Sequence, residues 1–157
     1  MIEIREATPD SLETARAIIA EYIASVSDVA GESFAHQRVD EELSTLPGRY
    51  APPGGTMLLA WDAEACIGCV LVRPLEGATC ELKRMYVRPT HRGHGIGRRL
   101  CDAALTRARE MGYQAMKLDS DPALSTALDL YRRLGFADTP RYNQDPDPAT
   151  VYLARAL

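Results

Sequence analysis

Between Lys83 and Arg99 the chain places six Lys/Arg residues and no acid, although its formal net charge is -4. The stretch Lys83-Arg84-Met85-Tyr86-Val87-Arg88-Pro89-Thr90-His91-Arg92-Gly93-His94-Gly95-Ile96-Gly97-Arg98-Arg99 begins as an apolar-studded strand and ends as a helix, with three glycines at alternate positions at the join. Glycines there let backbone N–H groups approach a ligand closely, and a helix N-terminus adds partial positive charge. A local arginine excess on an acidic chain points to an anionic ligand, most simply a pyrophosphate.

Three phosphate-binding loops compete for Arg92-Gly93-His94-Gly95-Ile96-Gly97. A P-loop needs four residues between its glycines and then Gly-Lys-Ser/Thr, which are absent. A dinucleotide fingerprint needs G-x-G-x-x-G, but Arg98 stands at the third glycine position; Asp119, ending the next strand, is its candidate ribose-binding acid. Preceding antiparallel hairpins and the lack of a second mononucleotide half argue against that loop. The third competitor is an acyl-coenzyme loop, taken up below.

Other residues with chemical potential read more blandly. Cys66 and Cys69 form a C-x-x-C, but they fall within an expected strand. Odd spacing there predicts thiols on opposite faces, so they read as small buried hydrophobes. His91 and His94 lack further partners for a metal site and suit the phosphate loop, so no metal is expected.

These residues need a scaffold. Ile2 to Glu6 alternates as a strand, and Thr8-Pro9-Asp10 starts a helix, with Thr8 as N-cap, running to about Ser25. A second helix is expected over His36 to Thr45, then a Pro/Gly-rich loop from Pro47 to Gly55. Thr56 to Trp61 and Ala65 to Arg73 form a hairpin, and Ala78 to Val87 a third strand. A helix follows from about Gly95 to Met111, capped by Gly112. Ala115 to Asp119 is a strand, Ala123 to Leu134 a helix ended by Gly135, Asn143 to Pro148 a turn-rich connector and Thr150 to Ala156 a last strand. The order β-α-α-β-β-β-α-β-α-β is a mixed α/β (α+β) domain: a central, mostly antiparallel sheet with one parallel pair, flanked by about four helices.

At 157 residues, 46% hydrophobic and 25% charged, the chain reads as one globular domain spanning 1–157. No run approaches the ~18 apolar residues of a membrane span. The N-terminus carries acids where a signal peptide would be basic and then apolar, so a cytoplasmic protein without a membrane partner is expected. A nucleic-acid binder using the 83–99 patch is disfavoured, because the basic run is confined to one loop and Tyr86 is its only aromatic.

The loop resembles the acetyl-CoA loop of the GCN5-related N-acetyltransferases (GNAT), whose Gln/Arg-x-x-Gly-x-Gly/Ala signature is matched by Arg92, Gly95 and Gly97. Val87-Arg88-Pro89 matches the step before it, and Ala127, Tyr131, Gly135 and Phe136 match a second element, Ala-x-x-x-Tyr-x-x-x-Gly-Phe. The element order agrees with the family fold, so the resemblance covers nearly the whole chain. It implies a splayed parallel pair of strands. It also implies that the backbone of Met85 and Val87 pairs with the pantetheine arm, and that Arg92, Gly93, His94, Gly95, Ile96, Gly97 and Arg98 hold the pyrophosphate. The Val87 N–H would polarise the thioester carbonyl. Tyr131 would then be the acid: a phenol near ~10 can protonate a departing thiolate whose acid is near ~8.5. Glu81 would be the base or orient a water, six residues before Val87 and on an expected common face with Lys83, Met85 and Val87. Leu124 stands where many members carry Asn, and Ser125 or Ser120 are its candidate substitutes.

The expected function is transfer of an acetyl group from acetyl-CoA, a co-substrate, directly to a primary amine of a small molecule or peptide. The alternative is a non-catalytic acetyl-CoA-binding regulator on the same fold, and a homodimer is compatible with either. Residues 1–50 hold ten Asp/Glu against four Arg, a balance that favours a cationic amine by steering. Tyr22, Tyr50 and Tyr142 are candidate pocket walls.

Overall fold

The structure is a computed structural model that describes the backbone of residues 1–157 and the side chains of 1–27 and 38–157. β1 (Ile2–Glu6) leads through a 3-10 turn at Pro9–Ser11 into α1 (Leu12–Gln37) and α2 (Val39–Ser44). Then come β2 (Thr56–Asp62), β3 (Ala65–Glu76), β4 (Thr79–Val87), α3 (Ile96–Glu110), β5 (Ala115–Ser120), α4 (Ser125–Arg133), β6 (Ala137–Asp138) and β7 (Val151–Ala156). The seven strands form one sheet in the order β1-β2-β3-β4-β5-β7-β6, and β4–β5 is its one parallel pair.

Two expectations shift here. α1 continues to Gln37 instead of ending near Ser25, and α2 begins after Arg38 rather than at His36. The apolar spacing read from the sequence stops near Val26, while the helical backbone runs on to Gln37. The break is a left-handed turn at Arg38 (φ 54), which no glycine announces. The two-residue β6 was also not expected; pairing with β7 makes it a strand, and nothing local does.

The sheet has a core on each face. Ala15, Ile18 and Ile19 of α1 pack with Leu59, Cys69, Leu71 and Tyr86. On the other face α3 and α4 cover Val70, Val72, Leu82 and Leu118 with Leu100, Ala104, Leu128 and Tyr131.

Of three register shifts, two bulges decide which face the residues around the site take. In β3, Ala60 opposes Gly68 while Trp61 opposes Cys66, so Ile67 is the extra residue. Gly68 sits so close to β4 that a Cβ would lie 2.7 Å from the Tyr86 carbonyl oxygen. In β4, Cys69 opposes Tyr86 while Leu71 opposes Lys83, and Arg84 takes up the extra residue with φ 58. Beyond a bulge the alternation reverses. Cys66 and Cys69 therefore both face α1, correcting the opposite faces their spacing suggests, and both are free thiols. Glu81 likewise does not share a face with Met85 and Val87: Cys80 and Leu82 lie on the α3 side before the bulge, Met85 and Val87 after it.

Candidate active site

β4 and β5 pair only at Thr79↔Ala115, Cys80↔Met116 and Glu81↔Lys117. Past that point β4 stays with β3, and β5 stays with β7 to Ser120↔Val151, so the strands part. The Arg88 N–H donates to the Ile67 carbonyl at 2.8 Å, turning that edge of β4 towards β3. By alternation the polar backbone groups of Met85 and Val87 point to the edge left open. A cleft opens in this gap, with Lys83, Met85, Asp119, Leu124 and Tyr131 on its walls.

At the outer end of β4, Pro89–His91 forms a 3-10 turn and Gly95 caps α3. Gly93 (φ 83) and Gly95 (φ 75) use the left-handed backbone that L side chains avoid, and a Cβ on either would meet nothing within 4 Å. The loop is thus open on its outer side. The first intrahelical bond of α3 runs from Arg99 N–H to the Gly95 carbonyl, leaving the N–H groups of Ile96, Gly97 and Arg98 as helix-start donors. Such an end suits an anion.

The basic residues of 83–99 mostly serve other partners. Lys83 pairs with Asp119 (3.4 Å), Arg84 with Glu42 (2.9 Å), Arg88 with Glu21 (2.9 Å) and Arg98 with Asp102 (3.7 Å). The Arg99 guanidinium donates to the Ile2 carbonyl and Arg92 Nε to the Val87 carbonyl, each at 2.8 Å. His91 Nε2 lies 2.9 Å from Asp62, so it braces the loop against β2 and does not face a phosphate; His94 is exposed. Charge counting along the sequence therefore overstated the cationic field, and the backbone donors of the loop carry more of it than the side chains do.

Tyr131, on α4, is 6% exposed and packs edge-to-face on Phe136 at 5.9 Å. Burial raises its phenol well above the ordinary value, which keeps the proton on at neutral pH. Among the described residues none hydrogen-bonds its hydroxyl, and the residue belongs to the cleft wall. Glu81 is placed differently. It is 2% exposed and absent from the cleft wall; Arg73 Nε donates to one oxygen at 2.9 Å and the Tyr142 hydroxyl to the other at 2.6 Å. The structure does not bring Glu81 and Tyr131 together.

Among the carboxylates that do reach the cleft, Asp119 is the one paired with Lys83. Its Oδ1 faces Lys83 and its Oδ2 accepts from the Asn143 amide at 2.8 Å. Burial opposes its charge, but Lys83 and the Asn143 hydrogen bond outweigh that and hold its carboxyl below the ordinary value. Behind it, Glu42 accepts from Arg84 and from the Tyr50 hydroxyl (2.7 Å), fastening α2 to the bulge of β4. Sequence reasoning named Tyr142 as a candidate pocket wall but missed its bond to Glu81 and the whole role of Asn143, which opens a turn-rich connector and meets Asp119 only through the fold. Leu124, at the N-cap of α4, makes no cap and packs towards Val26 of α1; Asp121 caps the turn before it, accepting from the Ala123 N–H at 2.8 Å.

Comparison with known proteins agrees with this geometry. Residues 20–136 match the Acetyltransferase (GNAT) family. An uncharacterized N-acetyltransferase of Schizosaccharomyces pombe is 36% identical over 147 residues, covering 92% of this chain and 88% of that protein. An IAA acetyltransferase of Azospirillum brasilense is 36% identical over 118 residues, 74% of each chain. Among solved structures, an N-acetyltransferase of Thermoplasma acidophilum in complex with coenzyme A superposes with a TM-score of 0.77 over 100% of this chain and 99% of that one, at 20% identity, which establishes a common fold. With a splayed β4–β5 pair, a glycine-opened loop on α3 and matches along most of its length, the chain belongs to the GNAT acetyltransferase family.

Proposed function

We propose that this protein transfers the acetyl group of acetyl-CoA directly to a primary amine of a small molecule or peptide. The observation that carries the reading is the β4–β5 splay: a strand edge no longer paired with β5 leads from a donor-rich helix start to a cleft holding a protonated phenol. Acetyl-CoA supplies an acyl group already activated as a thioester.

The backbone of Met85 and Val87 holds the pantetheine amides as a neighbouring strand would, with the Val87 N–H aimed at the carbonyl where negative charge develops. Gly93 to Arg98 hold the pyrophosphate, chiefly through N–H groups, with Arg92 and Arg98 at its rim. Tyr131 gives its proton to the departing sulfur. Glu81, with both oxygens engaged, acts as a support that fixes Arg73 and Tyr142, and not as the base. The acidic first fifty residues and the carboxylates of the cleft favour an amine that arrives as a cation.

Thiol release from acetyl-CoA, followed across amines, amino acids, polyamines and peptides, tests this. Turnover with at least one primary amine, matched by one acetyl group in the product, is expected. Tight acetyl-CoA binding without turnover on any amine would instead mark a binding protein in which Tyr131 is idle.

A further inference from the structure

The proposed reaction needs a group that removes a proton from the attacking nitrogen. The cleft wall offers Lys83, Asp119, Asp121 and Asp145. Asp121 accepts from the Ala123 N–H, and Asp145 accepts from the Asp147 N–H on one oxygen and the Thr150 hydroxyl on the other, so both are tied into their own turns. Lys83 and Asp119 each stand two residues past the last parallel pair, Glu81↔Lys117, where β4 and β5 have separated. Their side chains are both 5% exposed and bridge the vertex of the gap at 3.4 Å. Asp119 is clamped on its other oxygen by Asn143 and held ionised, which makes it an anchor and a poor proton acceptor.

The residue type at position 83 is informative. The chain has sixteen arginines and only two lysines, Lys83 and Lys117. Arginine cannot lose its proton in a protein, whereas a buried lysine can. At the cleft vertex the chain therefore carries the one kind of strong cation able to cycle between charged and neutral forms. Resting on the acetyl-transfer reading, the geometry points to Lys83 as the catalytic base that accepts the proton of the attacking amine, with Asp119 and Asn143 aiming it.

The surroundings suit that task. Burial is the largest influence on Lys83 and lowers its pKa; Asp119 and Glu81 resist, and Arg84 and Arg73 add to the lowering. Glu42 of α2 faces the same cluster through Arg84. Across the cleft stand Tyr22 of α1, Asp121, Tyr131 and Asp145. The net result is a lysine below its ordinary value.

Protons and electrons balance. The arriving ammonium first releases one proton to solvent; the freed lone pair then forms the C–N bond, and the carbonyl π pair moves to oxygen. Collapse breaks the C–S bond with its pair on sulfur. The N–H proton goes to the Lys83 Nζ, the Tyr131 proton goes to the thiolate, and the Lys83 ammonium then restores the Tyr131 phenol across the cleft.

The test uses the amine with fastest turnover in the panel above. K83R keeps the positive charge facing Asp119 but cannot accept a proton, so turnover should fall roughly 10²–10⁴-fold, with acetyl-CoA affinity unchanged by calorimetry. Near-parental turnover of K83R would overturn the proposal and leave Lys83 an ion-pair partner. D119N removes an anion that holds the proton on Lys83, so the acid limb of kcat/KM should move to lower pH; an unmoved limb, or one moved upward, counts against the lysine. A measurement on the parent protein guards against a variant that fails to fold. With ε-¹³C-lysine only two signals exist, and the one that persists in K117R belongs to Lys83. It should titrate below the ordinary lysine value of about 10.4; titration at or above that value overturns the proposal. Parental turnover with an unaffected K83R refutes only the lysine's role, whereas absence of turnover with every amine refutes the acetyl-transfer reading itself.

Discussion

A buried phenol with no hydrogen-bond partner among the described residues is unusual, because burying a hydroxyl without compensation costs free energy. Tyr131 is that case, and a tyrosine on the wall of a cleft has a ligand as its natural partner. Tyr131→Phe therefore separates packing from chemistry. The ring keeps its contact with Phe136 and no protein hydrogen bond is lost, so stability in urea should change by less than about 1 kcal/mol. Turnover on the best amine should fall roughly 10²–10⁴-fold, the range for a lost general acid. Near-parental turnover, with chemistry shown to be rate-limiting, would return the tyrosine to the core and assign the proton to water. Burial holds this phenol's pKa high, so the basic limb of the pH profile should not come from Tyr131 losing its proton at ordinary pH.

At the scale of elements, the loop into α3 and the bulge in β4 work together. The bulge turns the Met85 and Val87 side chains to the α3 face, while the backbone groups of those two residues reach the open edge. The loop sets the start of α3 beyond it. Gly95 sits at φ 75, ψ 13, so Gly95→Val has two costs. Left-handed backbone with a β-branched side chain should lower stability by about 1–3 kcal/mol. Displacing N–H donors from a charged phosphate costs about 1.5–3 kcal/mol more in binding, a loss of roughly 10–100-fold in acetyl-CoA affinity. Parental affinity in a folded variant, measured by calorimetry, would place the pyrophosphate elsewhere. The bulge has its own brace, the Arg84–Glu42 pair, with both side chains at most 10% exposed. Glu42→Gln removes the carboxylate that accepts from Arg84 Nε at 2.9 Å, and unfolding in urea should show a loss of about 3–5 kcal/mol.

For the whole molecule, the buried carboxylates make stability depend on acid. Burial works against the charge of Glu42, but the Arg84 charge and the hydrogen bonds from Arg84 and Tyr50 prevail, and its carboxyl is held below the ordinary value, as that of Asp119 is. A folded-state pKa below the unfolded one contributes stability that is complete above the unfolded value, about 4 for carboxyls, and is lost as pH falls through the lower folded values. Urea midpoints taken from pH 7 to pH 2.5 should fall steeply below about pH 4, with a shallower slope in Glu42→Gln. Equal slopes would mean that other carboxylates control acid unfolding. The four cysteines give a second whole-molecule measure. All are buried, and burial pushes the Cys80 and Cys101 thiols up to about 12. A thiol-disulfide reagent at pH 8 should therefore label none rapidly in the native protein and all four in urea; fast native labelling would show that the sheet opens locally.

The sequence by itself determined the elements and the loop. Alternation in β1 and β7, the helical spacing of α1, and the glycines at positions 93 to 97 each report local physics: periodicity, capping and left-handed backbone. The mixed sheet with one parallel pair followed from their order. Only the tertiary structure decided which way the residues face and whom they meet. Period-two reasoning assigned Cys66 and Cys69 to opposite faces, and Glu81 to the face of Val87. Both fail because a bulge adds one residue; Gly68 beside Ile67 is the one local sign of the first, and the second has none, since Arg84 adopts φ 58 with no glycine to announce it. In the same way the basic run read as an anion cradle, yet four of its six cations meet carboxylates from α1, α2, α3 and β5. Pairings of that kind join residues tens of positions apart, as with Glu42 and Arg84 or Lys83 and Asp119. Spacing along a chain carries no record of them, because they exist only once the sheet has closed its two cores.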